Sequence, residues 1–204
     1  TQQILAYGSY AITPSREANV QLGLGRNQTD GSRMTSGMSI AHADYDAELV
    51  QVSGGVQQVF QSTVPWKLIP SVRADYVRVA NEAYTETGAG AENLRVFSST
   101  SEQLVLGLRN RFEYALDSQS AWLVELGFAR ELLGDAVAGQ VAFADAPGTV
   151  LALPETSPDQ TTLSLGLGYR TTTQSGLQLS IQADLDRRDD FTSRSLAARL
   201  RWAF

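Results

Sequence analysis

Cysteine is absent from all 204 residues, which excludes a disulfide framework and any thiolate metal site. Histidine occurs once, at His42, too few for a structural zinc site in a chain without cysteine. No apolar run reaches the length of about eighteen residues that a transmembrane helix needs. That absence leaves a β-barrel open, because lipid-facing and lumen-facing residues alternate along its strands. Positive charge is in the minority, with 16 Lys+Arg against 22 Asp+Glu and a net charge of −6. This argues against nucleic acid as a partner. A basic segment followed by an apolar one is missing from the start, which reads Thr1-Gln2-Gln3. A processed or excerpted piece of a longer precursor is the expectation.

What the chain does have is a period of two. Leu196, Ala198, Leu200, Trp202 and Phe204 alternate with Ser195, Ala197, Arg199, Arg201 and Ala203. Successive side chains of a strand point to opposite faces, so this is a strand with one apolar and one basic face. The pattern recurs at Val20–Leu24, Val50–Val56, Val72–Tyr76, Leu104–Tyr114, Trp122–Phe128, Leu163–Tyr169 and Leu177–Leu185. With Leu5–Ile12 and the last segment, about nine strands are predicted, most on the order of 9–14 residues, enough to cross a bilayer at a tilt. Aromatics recur toward strand ends: Tyr10, Phe60, Trp66, Phe112, Tyr114, Trp122, Phe128, Tyr169 and Trp202.

The connections alternate in length. Thr13–Glu17, Gln61–Lys67, Asp117–Ser120 and Thr173–Gly176 are short, whereas Gln28–Asp46, Ala80–Ser101 and Gly134–Gln160 are long. Only Asp189–Ser193, short but on the long side, breaks the rule. Outer-membrane barrels have short periplasmic turns and long extracellular loops. A soluble antiparallel barrel with an apolar interior shares the period but not this alternation. The expected fold is therefore all-β, an antiparallel transmembrane (outer-membrane) β-barrel occupying residues 1–204 as one domain.

The faces opposite the apolar ones define a lumen. Its expected lining is Arg73, Asp75, Arg109, Arg111, Glu113, Glu125, Arg170, Asp184, Asp186, Arg199 and Arg201. Adjacent strands can pair such charges, so Arg111 or Glu113 with Glu125's strand and Asp184 or Asp186 with Arg199 and Arg201 are candidate pairings. Gly23, Gly25, Gly107, Gly127, Gly166 and Gly168 fall on the same side and leave room within it.

A search for chemistry returns little. His42 lies in the Gln28–Asp46 connection near Asp44 and Asp46, and reads as a surface-loop residue. Gly88-Ala89-Gly90-Ala91-Glu92-Asn93 lacks the third glycine and the following helix of a dinucleotide loop, and reads as a flexible loop. No Gly-x-Ser-x-Gly nucleophile elbow exists. Asp184 and Asp186 share a face, but as ion-paired lumen groups rather than glycosidase acids. Within Gly134–Gln160 a protruding hairpin is expected, turning at Pro147-Gly148. No catalytic residue, metal or cofactor is expected.

Four stretches together resemble the translocator β-domain of monomeric autotransporters, the type V secretion proteins of Gram-negative bacteria. They are Ile69–Tyr76 with Tyr84–Leu94, Leu106–Arg109, Trp122–Leu132 with Phe143–Gly148, and Leu165–Tyr169 with the aromatic end. The third stretch carries Arg130-Glu131 where the family often has His-Glu, so no role of that histidine transfers. The resemblance implies twelve strands around a pore helix, so the chain is expected to be the C-terminal portion, with N-terminal strands and the helix missing. It further implies an outer-membrane barrel that anchors and exports an N-terminal passenger. Its partners would be outer-membrane lipid, the barrel-assembly machinery and the passenger, with Trp202 and Phe204 as C-terminal assembly signal. The alternative is a complete small barrel acting as an adhesin or anchor through its long loops, which would need a tenth strand, for example at Ser36–Asp46.

Overall fold

The computed structural model describes residues 1–61, 65–134, 139–152, 161–188 and 191–202. Its strands are β1 (Gln2–Thr13), β2 (Arg16–Met34), β3 (Ile40–Gln58), β4 (Phe60–Gln61), β5 (Trp66–Asn81), β6 (Tyr84–Thr85), β7 (Leu94–Val96), β8 (Ser99–Ala115), β9 (Ser120–Gly134), β10 (Gln140–Phe143), β11 (Ala146–Ala152), β12 (Thr161–Thr172), β13 (Leu177–Arg187) and β14 (Thr192–Trp202). Nine long ones form an antiparallel meander in the order β1-β2-β3-β5-β8-β9-β12-β13-β14, with β4 added beside β5. Among the described residues β1 pairs with β2, β14 pairs with β13, and no ladder joins β1 to β14. The nine strands agree with the periodicity, and among the described residues neither edge of the sheet is paired.

Burial follows the alternation. On β13, Leu179, Ile181, Ala183 and Leu185 are exposed, while Ser180, Gln182, Asp184 and Asp186 between them are partly covered. On β12, Leu163, Leu165 and Leu167 are exposed, and Gly166 and Gly168 are buried. The polar side is the more covered, although among the described residues no second layer of secondary structure packs over this part of the sheet. A single sheet does this by curling with its polar face inward. The outward face is a continuous apolar surface, with Leu22, Val52, Leu108, Leu126 and Leu165 all near half-exposed. This inverts the usual rule for a domain in water, and it suits a wall against lipid.

Two connections differ from the sequence expectation. Residues 28–46 are not a long loop. β2 and β3 pair without interruption from Arg16↔Gln58 to Met34↔Ile40, and a tight turn over 35–39 closes the hairpin. Ladder hydrogen bonds need no apolar side chains, so the polar residues Asn27–Arg33 extend the strand where the hydrophobic period gives no sign of it. His42 consequently sits in β3, exposed on its outward side, and exchanges backbone hydrogen bonds with Thr87. Ser36–Asp46 adds no tenth strand, because its strand portion is the start of β3.

The other two long connections build a second sheet at the same rim, in the order β11-β10-β7-β6. The hairpin expected in 134–160 is β10–β11. Its turn is Ala144-Asp145, however, since Phe143 pairs with Ala146. The next pair is Ala142↔Val150, so Pro147-Gly148-Thr149 form a bulge and not the turn. Proline has no N–H for a ladder, and a bulge is where a strand tolerates it.

The stretch 88–93 is held, not loose. Gly88 (φ 95°) and Gly90 (φ 58°) take left-handed backbone that glycine favours, and Gly90–Glu92 make one 3-10 turn. The Glu92 carboxylate accepts from the Ser36 hydroxyl and, at 3.2 Å, from the Gly37 N–H on the β2–β3 turn. Behind it, Arg33 donates to both Glu86 oxygens at 3.0 and 2.6 Å and to the Glu92 carbonyl at 2.9 Å. Glu86 also accepts from the Leu94 N–H at 2.8 Å. These bonds clasp the second sheet to the β2–β3 hairpin. Hydrogen bonding by Arg33 holds the Glu86 carboxyl below its ordinary value, against an opposing push from burial.

Candidate functional site: the polar inner wall

Antiparallel partners point to the same side of a sheet, so register decides which side chains share the inner wall. One inner row runs Arg73↔Gly107↔Ala129↔Thr162, and the next runs Ser71↔Arg109↔Gly127↔Ser164↔Asp186. Another runs Arg111↔Glu125↔Gly166↔Asp184↔Ser195. By the same parity Asp75, Glu113, Arg170, Arg199 and Arg201 face inward. All eleven predicted residues therefore lie on one face, together with all six predicted glycines.

Two carboxylates organise most of the charge. Glu125 on β9 receives Arg111 at 2.9 Å and Arg109 at 3.0 Å, both from β8. Glu113 on β8 receives Lys67 from β5 at 3.6 Å and Arg170 from β12 at 3.5 Å. The Arg170 contact spans β9 without using it. Arg73 similarly reaches Asn19 of β2 at 3.4 Å over the intervening β3, and bonds Asp75 at 2.8 Å along its own strand. Contacts across two strands are favoured where a sheet curves toward the side chains.

Glycine makes these contacts possible. A Cβ at Gly166 would meet an Asp184 carboxylate oxygen at 2.8 Å and the Glu125 Cβ at 3.1 Å, and one at Gly127 would meet the Ser164 Cβ at 3.0 Å. The glycine rows are troughs into which neighbouring polar side chains lean.

One predicted set of pairs does not form. Asp184 lies opposite Ser195 and Asp186 opposite Ser193, whereas Arg199 lies opposite Ser180 and Arg201 opposite Gln178. Pairing Asp184 with Arg199 would need a slip of four residues, and the close of the hairpin at Arg187↔Thr192 forbids it. Asp184 instead accepts from Gln182 at 2.7 Å, and Asp186 from the Ser164 hydroxyl at 2.5 Å. Lys67 was missed because it was assigned to a turn. β5 begins at Trp66, and Lys67 has the parity of Arg73. Asn19 was missed because an uncharged amide gives no charge signal. Of the assembly-signal pair, Trp202 is exposed on the outward face opposite Leu177, and Phe204 lies outside the described residues.

The described residues hold no cluster of three or more metal-ligating side chains, and no helix among them is long and apolar enough to cross a membrane. The wall offers a polar, charge-balanced passage side and a lipid side. That is the anatomy of a transmembrane barrel wall.

The autotransporter β-domain family model matches residues 1–184. The fold matches the translocator domain of the autotransporter NalP from Neisseria meningitidis with a TM-score of 0.71 and 17% identity, covering 99% of this chain and 65% of that one. Esterase EstA from Pseudomonas aeruginosa and its counterpart from Pseudomonas putida are each 27% identical over 140 residues, which is 69% of this chain and 22% of theirs. This chain belongs to the autotransporter β-domain family. That family is one of outer-membrane β-domains, and the fold of this wall matches a β-barrel of that kind. The chain spans about a fifth of the length of the curated relatives and under two thirds of the solved domain.

Proposed function

We propose that this chain is most of a barrel wall past which an N-terminal passenger reaches the cell surface, and that it anchors that passenger in the outer membrane. The observation that carries this reading is the inner wall, polar along its height and relieved by six glycines. In lipid the open edges of β1 and β14 would leave ladder groups unbonded, at several kcal/mol each. Further strands of the same polypeptide would pair with them, and a pore segment would lie against the eleven lumen residues. The 140 residues shared with the two esterases are read as barrel, so their ester chemistry belongs to their passengers and none is assigned here. Membrane lipid and the barrel-assembly machinery are the further partners, with Trp202 and Phe204 presented to that machinery.

The test is an epitope placed in the N-terminal passenger of the full-length protein, read by protease accessibility on intact cells. It should reach the surface. Gly107→Phe should lower its exposure severalfold while the amount of folded barrel stays constant. A Cβ at Gly107 has no neighbour closer than 3.8 Å, so the ring projects inward rather than disrupting the wall. An epitope that stays inside cells carrying the wild-type barrel refutes export. Trp202→Ala and Phe204→Ala should each lower the yield of assembled barrel, and unchanged yields for both would remove the assembly role.

A further inference from the structure

On four of the nine long strands the outward apolar run stops at an arginine, and on β9 it is broken by Arg130, with exposed Leu133 beyond it opposite Leu104. β2 runs Val20, Leu22, Leu24, then Arg26, and β5 runs Val72, Ala74, Tyr76, then Arg78. β9 runs Leu126, Phe128, then Arg130; β13 runs Ala183, Leu185, then Arg187; β14 runs Ala198, Leu196, then Arg194. Every one of these arginines is toward the rim of the long connections. The other ends of β5, β9 and β14 carry outward Trp66, Trp122 and Trp202.

Register shows that the five arginines follow one line. Arg26 lies in the row of Ala80, one row above Arg78; Arg130 lies in the row of Ala74, Arg187 in that of Val72, and Arg194 in that of Pro70. The line falls about ten residues over about seven strand steps, which at ~3.4 Å per residue and ~4.8 Å per strand is a slope near 45°. Strands of an outer-membrane barrel tilt by about that angle, so the line is level with the membrane plane. Eight to twelve residues separate each arginine from the tryptophan of its strand on β5, β9 and β14. At that tilt the two contours stand roughly 19–29 Å apart, the height of an outward apolar band.

The line is not uniformly neutralised. Arg26 bonds Asp46 at 2.5 Å and Arg78 pairs with Glu102 at 3.6 Å. Among the described residues Arg130, Arg187 and Arg194 make no ion pair. Their ladder partners are Leu106 and Thr161, Leu163 and Thr192, and Leu185. The nearby Glu131 and Asp186 have inward parity. All three guanidinium-bearing residues are exposed. An arginine at the edge of an apolar band presents its fork to whatever anion lies at headgroup depth, and phosphate is the anion that fork matches.

We infer that Arg130, Arg187 and Arg194 form a binding site for phosphate-bearing lipid headgroups, on the outer wall of the β9–β14 half at the rim of the long connections. The inference rests on the outward face meeting lipid. Neutral pairing of Arg26 and Arg78 confines the site to that half. At about 1 kcal/mol for each basic side chain near an anionic surface, each arginine is worth about fivefold in affinity, and the three together on the order of 100-fold.

The experiment is a binding titration of the full-length protein in phosphatidylcholine nanodiscs containing diphosphoryl lipid A or its dephosphorylated counterpart. The wild type should prefer the diphosphoryl form. Arg130→Gln/Arg187→Gln/Arg194→Gln should weaken it by about 100-fold, whereas Arg199→Gln/Arg201→Gln, which removes two inward charges, should change it less than twofold. Equal affinity of the wild type for the two lipids overturns the inference, and this arm needs no variant to fold. Equal weakening by the inward pair overturns it as well. Failure to fold in the bilayer would count against the lipid-facing assignment itself, while a folded barrel indifferent to phosphate defeats this inference alone.

Discussion

Leu165→Arg should cost the barrel about 2–4 kcal/mol of folding free energy in phospholipid vesicles, and Ser164→Arg, one residue away, clearly less. Leu165 sits at the middle of β12 on the outward face, 48% exposed, between Leu126 and Leu185 on the neighbouring strands. An arginine there has no carboxylate in its row and must hold its charge near the midplane of the bilayer. Ser164 points inward, opposite Gly127 on one side and Asp186 on the other. An arginine at 164 meets a polar wall and gains a carboxylate that now accepts only a serine hydroxyl, although the close Gly127 row leaves it little space. Denaturant titrations of the two variants give the comparison. Equal costs would contradict the assignment of faces, because nothing else about the two neighbouring positions differs so much.

Glu86→Ala should release the second sheet from the β2–β3 hairpin while leaving the barrel wall folded. Its carboxylate is nearly covered and takes three hydrogen bonds, two from Arg33 and one from the Leu94 N–H. Truncation leaves Arg33 and that N–H without their acceptor, a loss of about 2–3 kcal/mol given that the Arg33 side is partly hydrated. Hydrogen exchange of the amides of 84–96 should accelerate accordingly, with those of β8 and β9 unchanged. Acid should reproduce the effect. The Glu86 carboxyl is held below its ordinary value in the folded state, so its stabilisation is complete above the unfolded value of about 4.3–4.5 and is lost as pH falls through the lowered one. The wild type should therefore open this clasp only in acid below the ordinary carboxylate range, and Glu86→Gln should already be weakened at neutral pH with little further change in acid. A variant whose exchange matches the wild type at both pH values would show the clasp to be idle.

The nine strands and their two faces were legible because each spanning segment needs lipid on one side, and that need writes a period of two into Leu, Val and Trp positions. Parity alone put all eleven of these residues on one face, since a side chain's face is a local property of the strand. The polar arm Asn27–Arg33 was not legible, because above the lipid both sides of a strand meet water and the period disappears. Pro147-Gly148 misled for a related reason: the pair signals a break in regular pairing, and a bulge satisfies that as well as a turn.

Partners are a different matter from faces. Asp184 and Asp186 share a face with Arg199 and Arg201 but not their rows, because the hairpin register that sets them opposite Ser195 and Ser193 depends on how the chain closes between Arg187 and Thr192. Lys67 and Arg170 converge on Glu113 from strands far apart in sequence, and Arg33 finds Glu86 only once a long connection folds back over the rim. The amino-acid sequence by itself determined an all-β outer-membrane wall, its inside and its outside, because transfer between lipid and water acts on each residue separately. Only the tertiary structure decided which charges meet, which loop is a strand, and that the outward arginines fall on one level line, because those depend on register and tilt, which are properties of many strands together.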